Sequence, residues 1–329
     1  MRRRNEKLMD DPLQINSTHL DNLYEMKTGN IFLHEHDLRT MIKYHGCHSD
    51  NRILIWMYLL KIIPITTSPK ERKILLEQLK KEYELKRDHW LSLTEENVNE
   101  MEETLQKRYH RNKTQIIKDV NRTDRDTELF KDHESETTKK LYNVLITIGM
   151  SEIEYSQGMN ELAATIFHAT QEEYVVYYLY LNILKMMENV YGTNGYLAIE
   201  KMENIGTVLK IVDQEYYDYM VRHKVSYNFV VGWILTLYRR EFEIDEILRL
   251  WDSIIAFPED KFYMFISVAI LIVNKYEIID NRFGYDDMFI WSGEMKNKIP
   301  LDIIFDADNI MNQFKLQAND EEKKCIFDL

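Results

Sequence analysis

Residues that interrupt helices are scarce in this chain of 329 residues. Glycine occurs 10 times and proline 5 times, whereas average proteins contain roughly 12% of the two residues together. Sustained alternation of apolar and polar residues, which marks a half-buried strand, is also missing from the sequence. These two absences favour long helices and predict an all-α fold.

Cysteine is equally scarce, and this excludes a protein held together by disulfide bonds. Cys47 and Cys325 are far apart, and neither has a CxxC partner or belongs to a recognisable Cys/His metal motif. Disulfide bonds are rare in cytosolic proteins. We therefore expect two reduced thiols and no bound metal.

Clustered positive charge and long apolar runs are missing as well. The net charge of −13 and the pI near 5.3 argue against a protein that binds nucleic acid. Arg2, Arg3 and Arg4 precede polar residues rather than an apolar segment, so they do not form a secretory signal. The longest nearly uncharged run, Phe262 to Val273, is too short to span a bilayer. We expect a soluble, cytoplasmic protein.

Helical periodicity is the main pattern that the sequence does contain. Its hydrophobic content of 45% is enough for a sizeable core. Apolar residues recur at positions i, i+3, i+4 and i+7 in four segments, each of which predicts an amphipathic helix. The four sets are Leu141, Val144, Leu145 and Ile148; Met159, Leu162, Ala163 and Ile166; Ile205, Val208, Leu209 and Val212; and Ile244, Ile247, Leu248 and Trp251.

Local signals also predict where helices begin and end. Ser68 and Glu71 form a capping box around Pro69, so a helix should begin there. Pro258 predicts a helix end, and Gly192 with Gly195 marks the clearest internal break. From these signals we predict an N-terminal extension over 1–31, helical halves over 32–191 and 192–318, and a polar tail over 319–329.

A cluster of tyrosines and several histidines are assigned no catalytic or binding role. Tyr174, Tyr177, Tyr178 and Tyr180 follow helical spacing in an acidic chain, so they predict core packing rather than a platform for stacking bases. The scattered histidines have no recognisable base or metal partner, and no role is assigned to them: His110, His133 and His168.

Two short stretches contain the residues best suited to chemistry. The first follows the pattern IxxDxxR with Ile116, Asp119 and Arg122, which lie three apart and share a face of a helical turn. The second follows the pattern YxQ, and its residues are Tyr155, Gln157, Gly158, Met159 and Asn160. Arg122 supplies a planar cation with several donors, and Gln157 supplies both an acceptor and a donor.

In this order, and separated by one predicted amphipathic helix, the two stretches resemble the fingerprint of the TBC family of Rab GTPase-activating domains. Arg52 and Trp56 are similar to the family's opening RxxxW segment, and Trp233 lies in a stretch similar to its third motif block. The resemblance covers roughly residues 32–314 and implies two all-α, helical subdomains. One departure is Gly232, because many family members carry arginine there.

The resemblance implies that the chain is not itself an enzyme but activates a GTP-bound Rab-family GTPase and thereby regulates vesicle trafficking. Arg122 would stabilise the charge that develops during hydrolysis, and Gln157 would orient the attacking water. Asp119 would hold Arg122 extended, and Gly158 would allow a sharp turn. GTP and Mg²⁺ would arrive on the GTPase, so no cofactor is expected. Association with the surface of endomembranes is compatible with this role.

Two alternatives remain open from the sequence. A catalytically silent TBC-fold scaffold or Rab-binding module would keep the fold without speeding hydrolysis, although it has no physical reason to keep both Arg122 and Gln157. An unrelated helical interaction protein would carry the motifs by coincidence, since an arginine near an aspartate is usually a surface ion pair.

Overall fold

The computed structural model describes Gln14, residues 35–187 and residues 196–327. These residues contain seventeen α-helices, two short 3-10 helices and no β-strand, so the predicted all-α class is confirmed. Apart from Gln14, the predicted extension over 1–31 lies outside the described residues. The predicted break at Gly192 and Gly195 lies outside them too.

The helices are numbered here in chain order. They are α1 (Glu35–His45), α2 (Ser49–Leu59), α3 (Pro69–Leu91), α4 (Glu95–Asn99), α5 (Glu103–Val120), α6 (Glu136–Ser151), α7 (Met159–Ala169), α8 (Glu173–Met186), α9 (Tyr196–Val212), α10 (Gln214–Arg222), α11 (Val231–Leu235), α12 (Ile244–Ala256), α13 (Phe262–Val273), α14 (Lys275–Asp280), α15 (Tyr285–Gly293), α16 (Ile303–Gln317) and α17 (Asp320–Phe327). The 3-10 helices are Tyr227–Val230 and Pro258–Asp260.

The chain divides into two compact units. One contains Ser49–Lys185, and the other combines Leu33–His48 with Met186–Leu329 within the described residues. Both stretches that resemble the family fingerprint lie in the first unit. The candidate site is therefore described within this unit.

Helix α3 begins where the capping box predicts. The Ser68 amide donates to Glu71 Oε2 at 2.8 Å, and the Glu71 amide donates to Ser68 Oγ at 3.2 Å. Pro69 occupies the first turn, where no intrahelical donor is needed. The prediction that Pro258 ends a helix is also confirmed, because α12 ends at Ala256.

The four segments with helical periodicity form α6, α7, α9 and α12, as predicted. Their apolar stripes supply much of the core, including the fully buried Leu141, Leu162, Val208 and Trp251. The uncharged run from Phe262 to Val273 is helix α13, and most of its side chains are buried. Among the described residues, no helix combines the length and apolarity needed to cross a membrane.

Helix α1 packs with the C-terminal unit, although the sequence grouped it with residues 32–191. The side chain of Arg249 in α12 is fully buried and donates from Nη2 to the Tyr44 carbonyl at 2.7 Å. Gly46, with φ of +78°, lies so close that an added Cβ would be 2.5 Å from Arg249 Cδ. Local sequence patterns do not reveal a contact between residues so far apart in the chain. The sequence therefore placed α1 in the wrong half.

The segment predicted as a polar tail, 319–329, is helical over Asp320–Phe327. Asn319 and Glu322 cap the helix reciprocally, with two hydrogen bonds of 2.9 Å. Ile326 is fully buried, and the Phe327 ring lies 6.0 Å from that of Phe265. The apolar pair at its end therefore anchors a segment whose composition is polar.

Two of the four tyrosines predicted to pack in the core are buried and two are half-buried. Tyr177 and Tyr180 are fully buried, the Tyr177 ring packs 4.8 Å from that of Tyr83, and Tyr174 and Tyr178 are half-buried. Cys47 is buried and Cys325 is exposed, and both are free thiols.

Candidate functional site

Arg122 lies in the turn that ends helix α5. The helix ends at Val120, and the Arg122 amide donates to the Asp119 carbonyl at 3.1 Å. The Arg122 side chain is 58% exposed, and its Nη2 lies 2.8 Å from Oδ1 of the fully buried Asp119. The guanidinium is therefore tethered through one terminal nitrogen, and the side chain is open to solvent.

Gln157 is exposed at the amino end of helix α7. Gly158 follows it as the N-cap residue, with φ of +98°. An added Cβ at Gly158 would meet no atom within 4 Å. The left-handed backbone, rather than lack of space, is the reason for glycine at this turn.

The carboxylate of Asp119 connects the two stretches. The Tyr155 hydroxyl donates to Asp119 Oδ2 at 2.8 Å, while Arg122 holds the other oxygen. Gln157 follows Tyr155 by two residues, so the two Cα atoms lie within about 7 Å of each other. The YxQ segment is thus attached to the turn that presents Arg122.

A second link runs through Asn160 and Thr123. Asn160 Nδ2 donates to Thr123 Oγ1 at 2.9 Å, and the Thr123 hydroxyl donates to the Asp119 carbonyl at 2.7 Å. Both side chains are almost completely buried. The start of α7 and the segment before it are therefore fixed to the end of α5 and the turn after it at two points.

The Tyr155 hydroxyl stays protonated and acts as a donor. Burial raises the pKa of this phenol well above its usual range, and the negative charge of Asp119 raises it further. Tyr155 is 7% exposed. A neutral hydroxyl with a buried carboxylate as acceptor makes a charge-assisted hydrogen bond, which is stronger than one between neutral groups.

The remaining supporting residues of the two stretches are core residues. Ile116 and Met159 are fully buried. Gly149 in α6 faces Ile116, and an added Cβ there would lie 3.3 Å from both Asn112 Nδ2 and Tyr155 Cβ. These contacts pack α5 and α6 closely behind the YxQ segment.

An open cleft of about 600 Å³ adjoins Gln157. Its lining consists of His110, Arg111, Asn112, Thr114, Gln115, Tyr155 and Gln157, and does not include Arg122. Asn112 is 1% exposed and donates to the Gly149 carbonyl at 2.9 Å. The solvent-facing surface beside Gln157 is therefore polar and is supplied mainly by α5.

Several residues around the site carry no motif signal. Gln115 Nε2 donates to Asp119 Oδ1 at 3.0 Å, and Arg111 forms an ion pair with Glu154. Arg108 donates to the Gly149 carbonyl from Nε at 2.9 Å. Only the i, i+4 spacing of Gln115 and Asp119 is visible in the sequence.

Arg125 fixes the turn that follows Arg122. Its Nε donates to the Asn121 carbonyl at 2.9 Å and its Nη2 to the Val120 carbonyl at 2.6 Å. Burial lowers the pKa of this guanidinium. His168, to which the sequence assigned no role, lies 3.0 Å from Asp124 Oδ2 through Nε2. Arg125 and His168 therefore also hold this turn.

The other residues of the resemblance lie in the core of the protein, except Gly232. Arg52 and Trp56 in α2 are buried, and so is Trp233 in α11, whose indole donates to the Ser292 carbonyl at 3.2 Å. Gly232 is exposed, and a Cβ there would meet no atom within 4 Å. The departure at Gly232 therefore leaves open surface rather than a cavity.

The site offers a cation, an amide and fixed hydrogen bonds. In the part of the chain that the structure describes, no group of three His, Cys, Asp or Glu residues is arranged to hold a metal ion. A guanidinium and a carboxamide stabilise charge and orient water, but they transfer no proton and form no covalent bond at neutral pH.

A family model and several known proteins are similar to this chain. The family model described as "Rab-GTPase-TBC domain" matches residues 49–279. The human TBC1 domain family member 16 is 24% identical over 86% of this chain, and GTPase-activating protein gyp7 of Schizosaccharomyces pombe is 21% identical over 93% of it. The chain spans 37% and 42% of the length of these two relatives.

Two solved structures have the same fold. The Ypt/Rab-GAP domain of Gyp1p superimposes with a TM-score of 0.71 at 18% identity, covering 92% of this chain and 99% of that one. The Chlamydomonas flagellar RabGAP TBC domain gives a TM-score of 0.62 at 14% identity, covering 93% and 98%. At these identities the likeness concerns the fold.

Proposed function

We propose that this chain, which belongs to the Rab-GTPase-TBC domain family, accelerates GTP hydrolysis by a Rab-family GTPase through Arg122 and Gln157. The family match and relatives named as GTPase-activating proteins support activation of a GTPase. The two-residue mechanism rests on the chemistry and placement of the side chains.

The reaction needs what the two side chains supply. GTP hydrolysis is slow because charge on the transferring phosphate is incompletely neutralised and the attacking water is poorly oriented. An arginine supplied in trans increases the rate by about 10³ to 10⁵. Arg122 would meet the phosphate oxygens, and the Gln157 amide would hold the water in line with phosphorus.

The observation that carries the proposal is the sharing of Asp119 by Arg122 and Tyr155. A surface ion pair alone would be common and of little consequence. Here the carboxylate is fully buried and ties the arginine turn to the segment that presents Gln157. Fixing both elements to one buried group gives the pair a defined separation, which catalysis by positioning requires.

The GTPase would bring GTP and Mg²⁺, and this chain would bring no cofactor. A stable complex of this kind buries about 1,200 to 2,000 Å² in total. Such an activator would end the GTP-bound state of its partner and so regulate vesicle trafficking, either in the cytoplasm or at the surface of an endomembrane.

The test is a phosphate-release assay over a panel of GTP-loaded Rab proteins. The wild type is compared with Arg122→Ala and Gln157→Ala, and the matched controls are Arg222→Ala and Gln106→Ala. Stimulation of at least one Rab that is lost in the first pair and kept in the controls supports the proposal. Equal stimulation by all variants would refute the roles of the two side chains.

A Rab-binding module without activity is the second candidate, and the same panel distinguishes it. A scaffold would bind a GTP-loaded Rab while leaving the hydrolysis rate unchanged. Its binding would also tolerate loss of Gln157. Arg122 and Gln157 are both exposed, which disfavours this candidate because a scaffold has no use for this pair of groups.

A further inference from the structure

Among the described residues, three side chains donate to the buried carboxylate of Asp119. Arg122 and Gln115 share Oδ1 at 2.8 Å and 3.0 Å, and Tyr155 holds Oδ2 at 2.8 Å. The carboxylate itself is fully buried. Arg122 is the donor that the proposed function requires to act elsewhere.

Arg122 contacts Asp119 through Nη2, one of the three nitrogens of its guanidinium. When Nη2 turns to a phosphate on a partner, this donor is withdrawn from Asp119 or shared with it. A buried acceptor that loses a hydrogen-bond donor is no longer compensated for its desolvation, which is unfavourable in free energy. The unfavourable free energy is larger for a charged acceptor. The ease with which Arg122 moves therefore depends on the donors that remain.

Gln115 is placed to be one of these remaining donors. It lies one helical turn before Asp119 on α5, and its amide contacts the same oxygen as Arg122. The amide is neutral, so it does not compete with Arg122 for phosphate charge. Gln115 also lines the cleft beside Gln157.

We infer that Gln115 is a positioning residue that satisfies Asp119 when Arg122 turns to the partner's phosphate, and so lowers the cost of that movement. The inference rests on the proposed function and deepens it. It assigns a role in the transition state to a residue outside both motif stretches. Without Gln115, Asp119 would hold Arg122 more firmly and the arginine would be less available.

The ordinary alternative is an i, i+4 side-chain pair that merely supports the helix. Such a pair contributes independently of Arg122. The inferred role is different, because Gln115 and Arg122 satisfy one oxygen and partly substitute for each other. Their effects on stability should therefore be non-additive, as for residues in one network.

The first experiment measures this coupling in the isolated protein by thermal unfolding. Gln115→Leu removes the donor at similar volume, and is made in the wild type and in the Arg122→Ala background. We expect Gln115→Leu to lower the melting midpoint by less than about 2 °C in the wild type. In the Arg122→Ala background it should lower the midpoint by at least about twice as much. The control is Gln106→Leu on the same helix, whose amide contacts Asn99 at 3.0 Å. Its shift should be equal in both backgrounds.

The second experiment uses single variants only, so it remains decisive if the double variant does not fold. For a Rab that the wild type stimulates, Gln115→Leu is expected to lower kcat by about threefold or more and change KM by less than about twofold. Gln115→Glu, which adds a second carboxylate near Arg122, should lower kcat further. Gln106→Leu should change neither constant.

The outcomes separate this inference from the proposed function. Additive midpoint shifts overturn the inference, and so does a Gln115→Leu variant that retains the wild-type kcat, even if the wild type is a strong activator. A wild type that stimulates no Rab while showing non-additive shifts overturns the proposed function and leaves the coupling at Asp119 intact. Non-additive shifts together with a selective loss of kcat support both.

Discussion

The Tyr155 hydroxyl donates to Asp119 Oδ2 at 2.8 Å, and this bond joins the YxQ segment to the turn that presents Arg122. Burial and the charge of Asp119 raise the Tyr155 pKa, so the donor is protonated at any physiological pH. The two motif stretches thus meet at one carboxylate.

Removing the Tyr155 hydroxyl should destabilise the protein and impair activation together. Tyr155→Phe leaves Asp119 Oδ2 without this donor, and a hydrogen bond to a charged group contributes about 1.5–3 kcal/mol. Urea unfolding measures the loss. Tyr276→Phe, in a tyrosine whose side chain is 74% exposed, is the control and should be neutral. A Tyr155→Phe variant as stable as the control would show that the junction contributes little.

Alanine substitutions at two glycines should change the stability of the fold in opposite directions. Gly158 has φ of +98°, so Gly158→Ala should destabilise the fold by about 1–2 kcal/mol and displace Gln157. Gly232 lies in helix α11 with open space around it, so Gly232→Ala should stabilise by about 0.5–1 kcal/mol. Denaturant midpoints test both. Equal effects at the two positions would contradict the assigned backbone requirement.

The ion pair between Arg111 and Glu154 should help to place the YxQ segment. Glu154 directly precedes Tyr155, and the pair is partly exposed, with side-chain exposures of 61% and 35%. Arg111→Glu should reduce activation about two- to fivefold, the range expected for a surface pair worth up to ~1 kcal/mol. Adding Glu154→Arg should restore activity. High salt should reduce the difference in activity between the wild type and Arg111→Glu. No restoration would mean that the charge at 111 acts in another way.

Acid should remove the stabilising contribution of Glu152. The hydrogen bond from Lys86 lowers the pKa of this carboxyl, so its contribution is present above the unfolded pKa and is lost as pH falls through the folded value. We expect the wild type to melt at a higher temperature than Glu152→Gln at pH 7. This difference in melting midpoint should disappear below about pH 4. Glu128→Gln, whose side chain is 92% exposed, is the control. A constant advantage at all pH values would contradict this assignment.

The sequence was sufficient to predict the local features. Periodicity located α6, α7, α9 and α12, and the Ser68 capping box located the start of α3, because short-range spacing determines both. The family resemblance identified Arg122 and Gln157. Local signals and motif spacing therefore predicted the fold class and selected the candidate residues.

Long-range contacts could not be predicted in the same way. The buried Arg249 that draws α1 to α12 looks like an ordinary charged residue in the sequence. Gln115 and Arg125 surround the candidate site, but their partners are known only once the chain is folded. The helix over Asp320–Phe327 was missed because its composition is polar and only Ile326 and Phe327 anchor it.

The most direct test is the single-turnover hydrolysis rate of a stimulated Rab with wild type, Arg122→Ala and Arg122→Lys. The account predicts that alanine removes about 3 kcal/mol or more of transition-state stabilisation, which is over about a hundredfold in rate, and that lysine does not restore it. Rab binding and the melting midpoint are recorded in parallel, to separate loss of chemistry from loss of the complex. An Arg122→Ala variant that binds the Rab and keeps the wild-type rate within about threefold would contradict the central claim.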